Sequence, residues 1–396
     1  MRVLSDWIDS FVEFNQNSEP PTTYDRWMAI GCIASVLQRK CWLEWGRLTF
    51  YPNLYIVLIG PPGGPRKGTA MEPVLRYLSK KEELGIFLAA ENTTREQLII
   101  ALQNATSLAS LPDGFAIHHS SLTILNSELT VFLGYRNMQM ITELTDWYDC
   151  KAHWSYHTKN SGQFDISNVW VNMIGATTPD AINESLPPAA IGGGFTSRVL
   201  FIYETGKKGP VPYPSLTAEE KSLDKKLQTD LVDISQLAGV FVPTKHYVEA
   251  WTDWYMNNYN NPPFTERVLA GYCERRAAMA LKLSMIVNAS RDGGMELMPI
   301  DLERAVSFLV EAERKMLSVF AGVGTADHSA VLANIMQMIL LAPKGQIGLQ
   351  SIMWRVRNDV TSQRLTELLA SLEMSGFCRL NKATNTIIHN KNFKPS

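Results

Sequence analysis

The pattern of apolar and polar positions divides the chain into stretches of different character. Over residues 1–47 the large apolar residues recur at helical spacing: Trp7, Phe11 and Phe14, a break at Glu19-Pro20-Pro21, then Tyr24, Trp27, Ile30, Ile33, Ala34 and Leu37 up to Arg39-Lys40. This predicts a helical N-terminal segment, either packed on the next domain or acting as a subunit-contact collar. From 48 to 206 the pattern shifts to short apolar runs bounded by turn residues, at 54–59, 121–129, 169–175 and 199–203. A helix start at Thr93-Thr94-Arg95-Glu96 and a hairpin over 153–166, turning at Lys159-Asn160-Ser161-Gly162, fall between them. Strands alternating with helices predict an α/β domain. The Gly- and Pro-rich run 206–214 reads as a linker. Helical periodicity returns over 215–320, with helices expected at 218–237, 274–286 and 301–320, as a lid on the α/β core. Residues 328–396 predict three helices (329–341, 350–357 and 361–374) and a hairpin whose strands are 377–380 and 386–389. That is the winged-helix order, which also serves as a plain protein-contact module.

Composition narrows the setting. A length of 396 residues accommodates two or three domains with cores of their own. Net charge is −2, so nucleic-acid binding has to come from local patches. The basic stretch is 328–396, where eight lysines and arginines face three acids, a local charge of +5. Five scattered cysteines without a CxxC pair argue for a reducing compartment and against a disulfide or zinc framework. His118, His119, His153 and His157 lack metal-site spacing and read as structural. The first residues, MRVLSDWIDSF, do not form a signal peptide, and no apolar run approaches membrane length. A soluble, cytoplasmic protein is therefore expected.

The candidate chemistry begins at residues 53–71. The apolar run 54–59 leads into Gly60-Pro61-Pro62-Gly63-Gly64-Pro65, then Arg66-Lys67-Gly68-Thr69 and a helix over 70–80. Strand, glycine-rich turn, lysine, hydroxyl and helix is the order a phosphate cradle requires: backbone N–H groups face the anion and the lysine adds a point charge. Lys67 falls one residue later than G-x-x-x-x-G-K-[ST] predicts from Gly60. Gly68 stands where the Mg²⁺-binding hydroxyl belongs, and Thr69 follows it. A proline-rich turn closing a strand is the bland alternative. Downstream, a strand ends in Asn126-Ser127-Glu128. Glu128 fits the role of polarising an attacking water, while Ser127 replaces the usual metal-orienting aspartate, so metal support falls to Thr69, Ser127 or a water network. The alternative for Glu128 is an ordinary loop carboxylate. The strand at 169–175 leads to Thr177-Thr178-Pro179, either of whose threonines can reach a γ-phosphate or cap the following helix. Gly192-Gly193-Gly194 delivers Arg198 just before the strand at 199–203, an arrangement suited to an arginine projected from the domain edge. Arg275 or Arg276 is a further candidate nucleotide sensor, against a structural role in the lid.

GPPGGPRKGTAM, the SEL-x-x-FLG segment, GATTPD and GGGFTSRVLFIYE together resemble the replication ATPases of phages and mobile elements, which are related to superfamily 3 helicases and the wider AAA+ class. The resemblance spans roughly residues 5–310, with its four motifs in the family's order. It implies an α/β P-loop ATPase (AAA+-like) core (48–206) with a helical N-terminal segment (1–47) and a helical lid (215–320), to which the C-terminal winged-helix domain (328–396) is added. It further implies ATP and Mg²⁺ as cofactors, with Gly60, Pro61, Pro62, Gly63, Gly64, Arg66, Lys67, Gly68 and Thr69 at the nucleotide and Thr69 at the metal. Glu128 would be the catalytic acid, Thr177 or Thr178 the γ-phosphate sensor, and Arg198 the arginine finger. Lys159 sits where the family places its DNA-gripping loop, and Arg364 and Lys382 are the candidate DNA contacts of the C-terminal domain. The expected function, as the resemblance implies it, is a ring-forming, hexameric DNA helicase or translocase for replication of a phage or mobile element, meeting single-stranded or forked DNA and a primase or other replication proteins, with no membrane. Two alternatives stay open: an ATPase that loads or remodels a replication protein, and a nucleotide-dependent DNA-binding initiator or regulator.

Overall fold

The structure is a computed structural model that describes residues 2–158, 162–187, 190–320, 326–340, 342–357, 360, 362–381 and 384–390. It is mixed α/β with parallel sheet and falls into two units, 1–320 and 321–396.

The first unit opens with α1 (Trp7–Phe14) and α2 (Thr22–Leu37). Next come β1 (Cys41–Trp45), β2 (Leu48–Phe50), β3 (Tyr55–Ile59), α3 (Lys67–Leu78), α4 (Lys81–Leu84) and α5 (Arg95–Asn104). β4 (Thr106–Ser110), β5 (Ala116–Asn126), α6 (Leu129–Leu133) and α7 (Met138–Trp147) follow. After them come the hairpin β6 (His153–Thr158) and β7 (Gly162–Ser167), then β8 (Val169–Thr177), α8 (Pro179–Ser185) and β9 (Val199–Tyr203). The chain continues through α9 (Ala218–Ser235), β10 (Gly239–Pro243), α10 (Lys245–Asn260), α11 (Ala270–Ser290), β11 (Glu296–Leu297) and α12 (Pro299–Met316).

A five-stranded sheet organises this unit, in the order β4-β5-β8-β3-β9. β3 pairs in parallel with β8 and β9, β8 pairs in parallel with β5, and β4 closes the edge antiparallel to β5. β3 and β8 are buried along their whole length, as expected of strands covered on both faces. α2 covers one face. It approaches so closely that a Cβ on Gly31 would lie 2.8 Å from Ile174 Cδ1, and Asn172 Nδ2 donates to Ser35 Oγ at 3.0 Å. Nearly every residue of α2 is buried, so it is a core helix rather than an outer collar.

The expected helical segments 1–47 and 215–320 also contribute strands. β1 pairs in parallel with β10 at Cys41–Gly239, and the second sheet runs β11-β10-β1-β2. Trp42 and Glu44 lie on its more open side while Cys41 and Leu43 are buried, the period-two pattern of a half-covered strand. The stretch 206–214 is anchored rather than free: Lys207 Nζ lies 2.6 Å from Glu19 Oε1, and Lys208 Nζ 2.9 Å from the buried Asp25 Oδ2. Asp25 is pushed up to about 6 by its burial, against the pull of Lys208.

The second unit contains α13 (Ala326–Leu340), β12 (Gln346–Gly348), α14 (Leu349–Val356), α15 (Ser362–Met374), β13 (Cys378–Asn381) and β14 (Thr386–His389). The expected hairpin is joined by a third strand, giving an antiparallel sheet ordered β12-β14-β13. Ile335, Ile339, Ile352, Val356, Leu365, Phe377 and Ile387 share one buried cluster.

No helix among the described residues is long and apolar enough to cross a membrane.

Candidate phosphate-binding site

The loop 60–66 lies at the carboxyl end of β3, between β8 and β9, where the chain connections leave the sheet in opposite directions. Open α/β sheets bind ligands at such a switch point. Gly60 is fixed there by crowding. An added Cβ would lie 2.4 Å from the Glu204 carbonyl oxygen, 2.4 Å from Pro65 Cγ and 2.8 Å from the Tyr24 hydroxyl. That hydroxyl donates to the Ile59 carbonyl at 2.6 Å, and Glu204 N–H donates to the same oxygen at 2.9 Å. Gly63 adopts φ +69° and, like Gly68, would meet nothing within 4 Å if it carried a Cβ, so the space above the loop is open.

The late lysine has a structural explanation. Arg66 takes a left-handed conformation (φ 55°, ψ 45°) as the N-cap, and this absorbs the extra residue so that α3 begins at Lys67 itself. Lys67 Nζ donates back to the Gly60 carbonyl at 2.7 Å and reaches the Pro61 carbonyl at 3.3 Å. The loop thus curls around its own ammonium. Burial lowers the Lys67 pKa, and the Glu128 carboxylate raises it in part, which brings Glu128 into the electrostatic field of the loop. Arg66 Nε is held at 2.6 Å by Glu19 Oε2.

Thr69 is exposed in the first turn of α3. Pro73 has no N–H to give, so the Thr69 carbonyl lacks its helical partner. Both residues line a cleft of about 290 Å³ with Phe14, Asn15, Pro214 and Leu216.

β5 ends at Asn126, and Ser127 and Glu128 follow, exposed, in the turn before α6. Asn126, which the sequence did not single out, orders this turn: its Nδ2 donates to the Glu91 carbonyl at 2.5 Å and its Oδ1 accepts from Glu128 N–H at 2.8 Å. A polar residue at the last buried position of an apolar strand was the available signal. One strand over, Thr177 is buried, its hydroxyl has no hydrogen-bond partner, and its carbonyl accepts from Gly60 N–H at 3.4 Å. Thr178 caps α8 by accepting from Ala181 N–H at 3.2 Å. Thr177 therefore borders the loop with a free hydroxyl, whereas the Thr178 hydroxyl is already engaged in the cap.

Arg198 departs from the expected projecting arginine. It is buried (7%), its Nη1 donates to the Gly194 carbonyl at 2.8 Å, and its Nη2 lies 2.5 Å from Asp149 Oδ2. The glycine run holds the guanidinium inward instead of projecting it. Tyr55 pairs with Val199 and Ile59 with Tyr203, so Arg198 stands at the end of the sheet opposite Gly60. Arg276 is likewise structural in its contacts, with Nε 2.5 Å from Glu313 Oε1 and Nη2 2.9 Å from Glu313 Oε2. Lys159 and Lys382 lie outside the described residues. Arg364 is in α15, and its side chain is also outside that description.

Among the described residues no group of three histidine, cysteine, aspartate or glutamate side chains could hold a metal. The donors beside the loop are oxygens: the Thr69 and Ser127 hydroxyls and the Glu128 carboxylate. Mg²⁺ accepts such a sparse set when phosphates and waters complete its shell. His119 is buried against the Ser121 hydroxyl at 2.8 Å, away from any such set.

A comparison with protein-family models finds no matching model, and a comparison with curated proteins finds no match.

Proposed function

We propose that this chain is a nucleoside triphosphatase with an AAA+-like P-loop core, binding ATP at residues 60–69 and coupling its hydrolysis to movement on DNA during replication of a phage or mobile element. The observation that carries the reading is the parked ammonium of Lys67, enclosed by its own loop at the N-terminus of α3, with Glu128 within its field. A triphosphate supplies stronger acceptors than the carbonyls of Gly60 and Pro61, and the first-turn N–H groups of α3 have no helical acceptor of their own. ATP and Mg²⁺ suit the residues present. Lys67 and the loop would hold the β- and γ-phosphates. Thr69 would ligate the metal directly or through water, and Glu128 would accept a proton from the attacking water. Bound Mg²⁺ would supply charge neutralisation at the phosphates. Asn126 holds the Glu128 backbone, and Thr177 offers a free hydroxyl at the neighbouring strand tip.

The second unit, read as a winged helix, supports DNA contact through its basic composition. The same feature favours the initiator or regulator reading if that unit selects a sequence. A ring, and partners such as a primase, follow from the family resemblance.

The test is a pair of variants. Lys67→Ala should abolish ATP binding, and Glu128→Gln should bind ATP without turning it over. Undiminished turnover in both overturns the assignment. Strand displacement on a forked substrate then separates a helicase from a loader or a regulator.

A further inference from the structure

In the second unit, α14 buries one stripe and turns its other side to solvent. Ile352 and Val356 belong to the unit's core cluster, and Leu349 packs against it. At about 3.6 residues per turn, Trp354 falls nearly opposite the middle of that stripe, the most outward position of the helix. The indole is 68% exposed, at a position where core packing asks for no apolar residue. Met353, Arg355 and Arg357 are exposed beside it, and α14 carries no acidic residue. Arg357 lies over the Trp354 ring, its guanidinium carbon 4.4 Å from the centroid, and its Nη1 donates to the Trp354 carbonyl at 3.1 Å. One face of the indole is thus backed by a guanidinium that the backbone holds in place, and the exposed area is left to the rest of the ring.

We infer that Trp354 is a stacking platform for an unpaired base of a single-stranded nucleic acid, with Arg357 backing the ring and Arg355 meeting the adjoining phosphate. The inference rests on the nucleic-acid reading of the second unit and is independent of the phosphate loop. Three features select this partner. The charge complements a polyanion: two arginines and no acid on the helix, in a stretch that carries +5. A flat indole at the outermost position matches the face of a base, whereas an acidic peptide answers the charge and leaves the ring unmatched. Paired bases turn only their edges towards the grooves, so a ring face demands an unpaired one. In the helix–turn–helix arrangement the groove-reading element is the second helix, here α15, so the Trp354 face is a separate contact.

The test measures binding of the full chain, without nucleotide and at fixed salt, to oligothymidylate, to an abasic strand of the same length and to a duplex. Trp354→Ala should weaken oligothymidylate binding about tenfold, the order of one base–aromatic stack, and leave the abasic strand unaffected. Trp354→Phe should recover part of the loss, because the phenyl ring keeps a stacking face. Arg355→Gln should weaken both single strands alike and reduce the salt slope by about one. All three variants should keep the parent's Tm, since neither side chain is buried. Equal oligothymidylate affinity in the parent and Trp354→Ala overturns the inference. So does an equal loss on the abasic strand, which would trace the effect to charge or shape. In either case duplex binding by the parent leaves the nucleic-acid reading of the unit standing. A parent chain that binds none of the three probes overturns that reading and the inference together.

Discussion

Replacing Gly60 by alanine tests whether the loop geometry is set by crowding. The new Cβ would stand 2.4 Å from the Glu204 carbonyl oxygen, 2.4 Å from Pro65 Cγ and 2.8 Å from the Tyr24 hydroxyl. Carbon–oxygen contacts relax at about 3.4 Å, so something must move by about 1 Å. Pro65 can repucker. The Glu204 carbonyl cannot retreat freely, because Glu204 N–H is bonded to Ile59 at 2.9 Å and its carboxylate is held by Lys315 at 2.6 Å and Thr23 at 2.6 Å. The loop must yield, carrying the Gly60 carbonyl away from Lys67. Overpacking of this kind costs about 2–3 kcal/mol, or a fall in Tm of roughly 5 °C in a domain of this size. ATP turnover should fall about 100-fold, the usual penalty for misplacing a catalytic frame by 1 Å. Gly68→Ala is the control. Gly68 lies in the first turn of α3 and its added Cβ meets nothing within 4 Å, so the variant should be more stable by about 0.5–1 kcal/mol. Thermal melts and steady-state ATPase assays on both variants suffice. A Gly60→Ala protein with the parent's Tm would refute the reasoning.

Two predictions concern buried charge. Burial, with Lys40, Arg39 and His118 acting in the same direction, lowers His119 from 6.5 to about 4, so the native state keeps it neutral. Its contribution is present above pH 6.5 and lost as pH falls towards 4, about 3 kcal/mol in all. Asp25, raised from 3.8 to about 6, has the opposite slope, so the measurement is the difference in urea midpoint between the parent and His119→Asn across that window, and identical pH profiles would reject the assignment. Arg276→Met strands Glu313, which also accepts from the Tyr272 hydroxyl at 2.7 Å, and should cost about 3–5 kcal/mol by urea unfolding. Arg276→Met with Glu313→Leu should recover most of it, and a double variant as unstable as the single would show that packing, not charge, sets the loss.

Which features could be read from the sequence follows the range of the forces involved. The strand 199–203 matches its expected bounds, and β3 lies within the expected 54–59, because strands covered on both faces are continuous apolar runs with local turn signals. The Thr94 cap was equally local: its side chain accepts from Gln97 N–H. β1 and β10 were not legible. Each is short, and their pairing joins Cys41 to Gly239, far apart in sequence, so neither shows its partner in its own pattern. β4 was missed because Thr106–Ser110 alternates between exposed and half-buried positions with little apolar content. The position of Arg198 before its strand was readable, but its burial was not, since the acid that holds it is 49 residues away in the chain. Asn126 and Tyr24 carry no motif. Their roles come from where the fold brings the Glu128 N–H and the Ile59 carbonyl.

The flank of the loop 60–66 depends on the same non-local convergence. Glu19 receives Arg66 at 2.6 Å from the loop, Lys207 at 2.6 Å from the stretch after β9, and Val211 N–H at 3.2 Å. Lys207, then Arg66, then Val211 hold its carboxyl down at about 2, so the carboxylate stays ionised throughout any ordinary working pH. Thr23 and Lys315 close on Glu204, whose backbone bounds the space beside Gly60. Residues 19–24, 204–211 and 315 thus fix the walls of a loop to which they contribute no residue. On the proposed reading, a nucleotide that drew Arg66 towards its phosphates would remove one of the two cations on Glu19 and leave Lys207 as its partner. The Lys207 contact would then strengthen as the Arg66 contact is released, because the carboxylate would no longer be shared between two cations. The N-terminal segment thus frames the loop 60–66, and α2 is buried where an outer collar would have kept an exposed face because it also covers the sheet, with Gly31 set against Ile174.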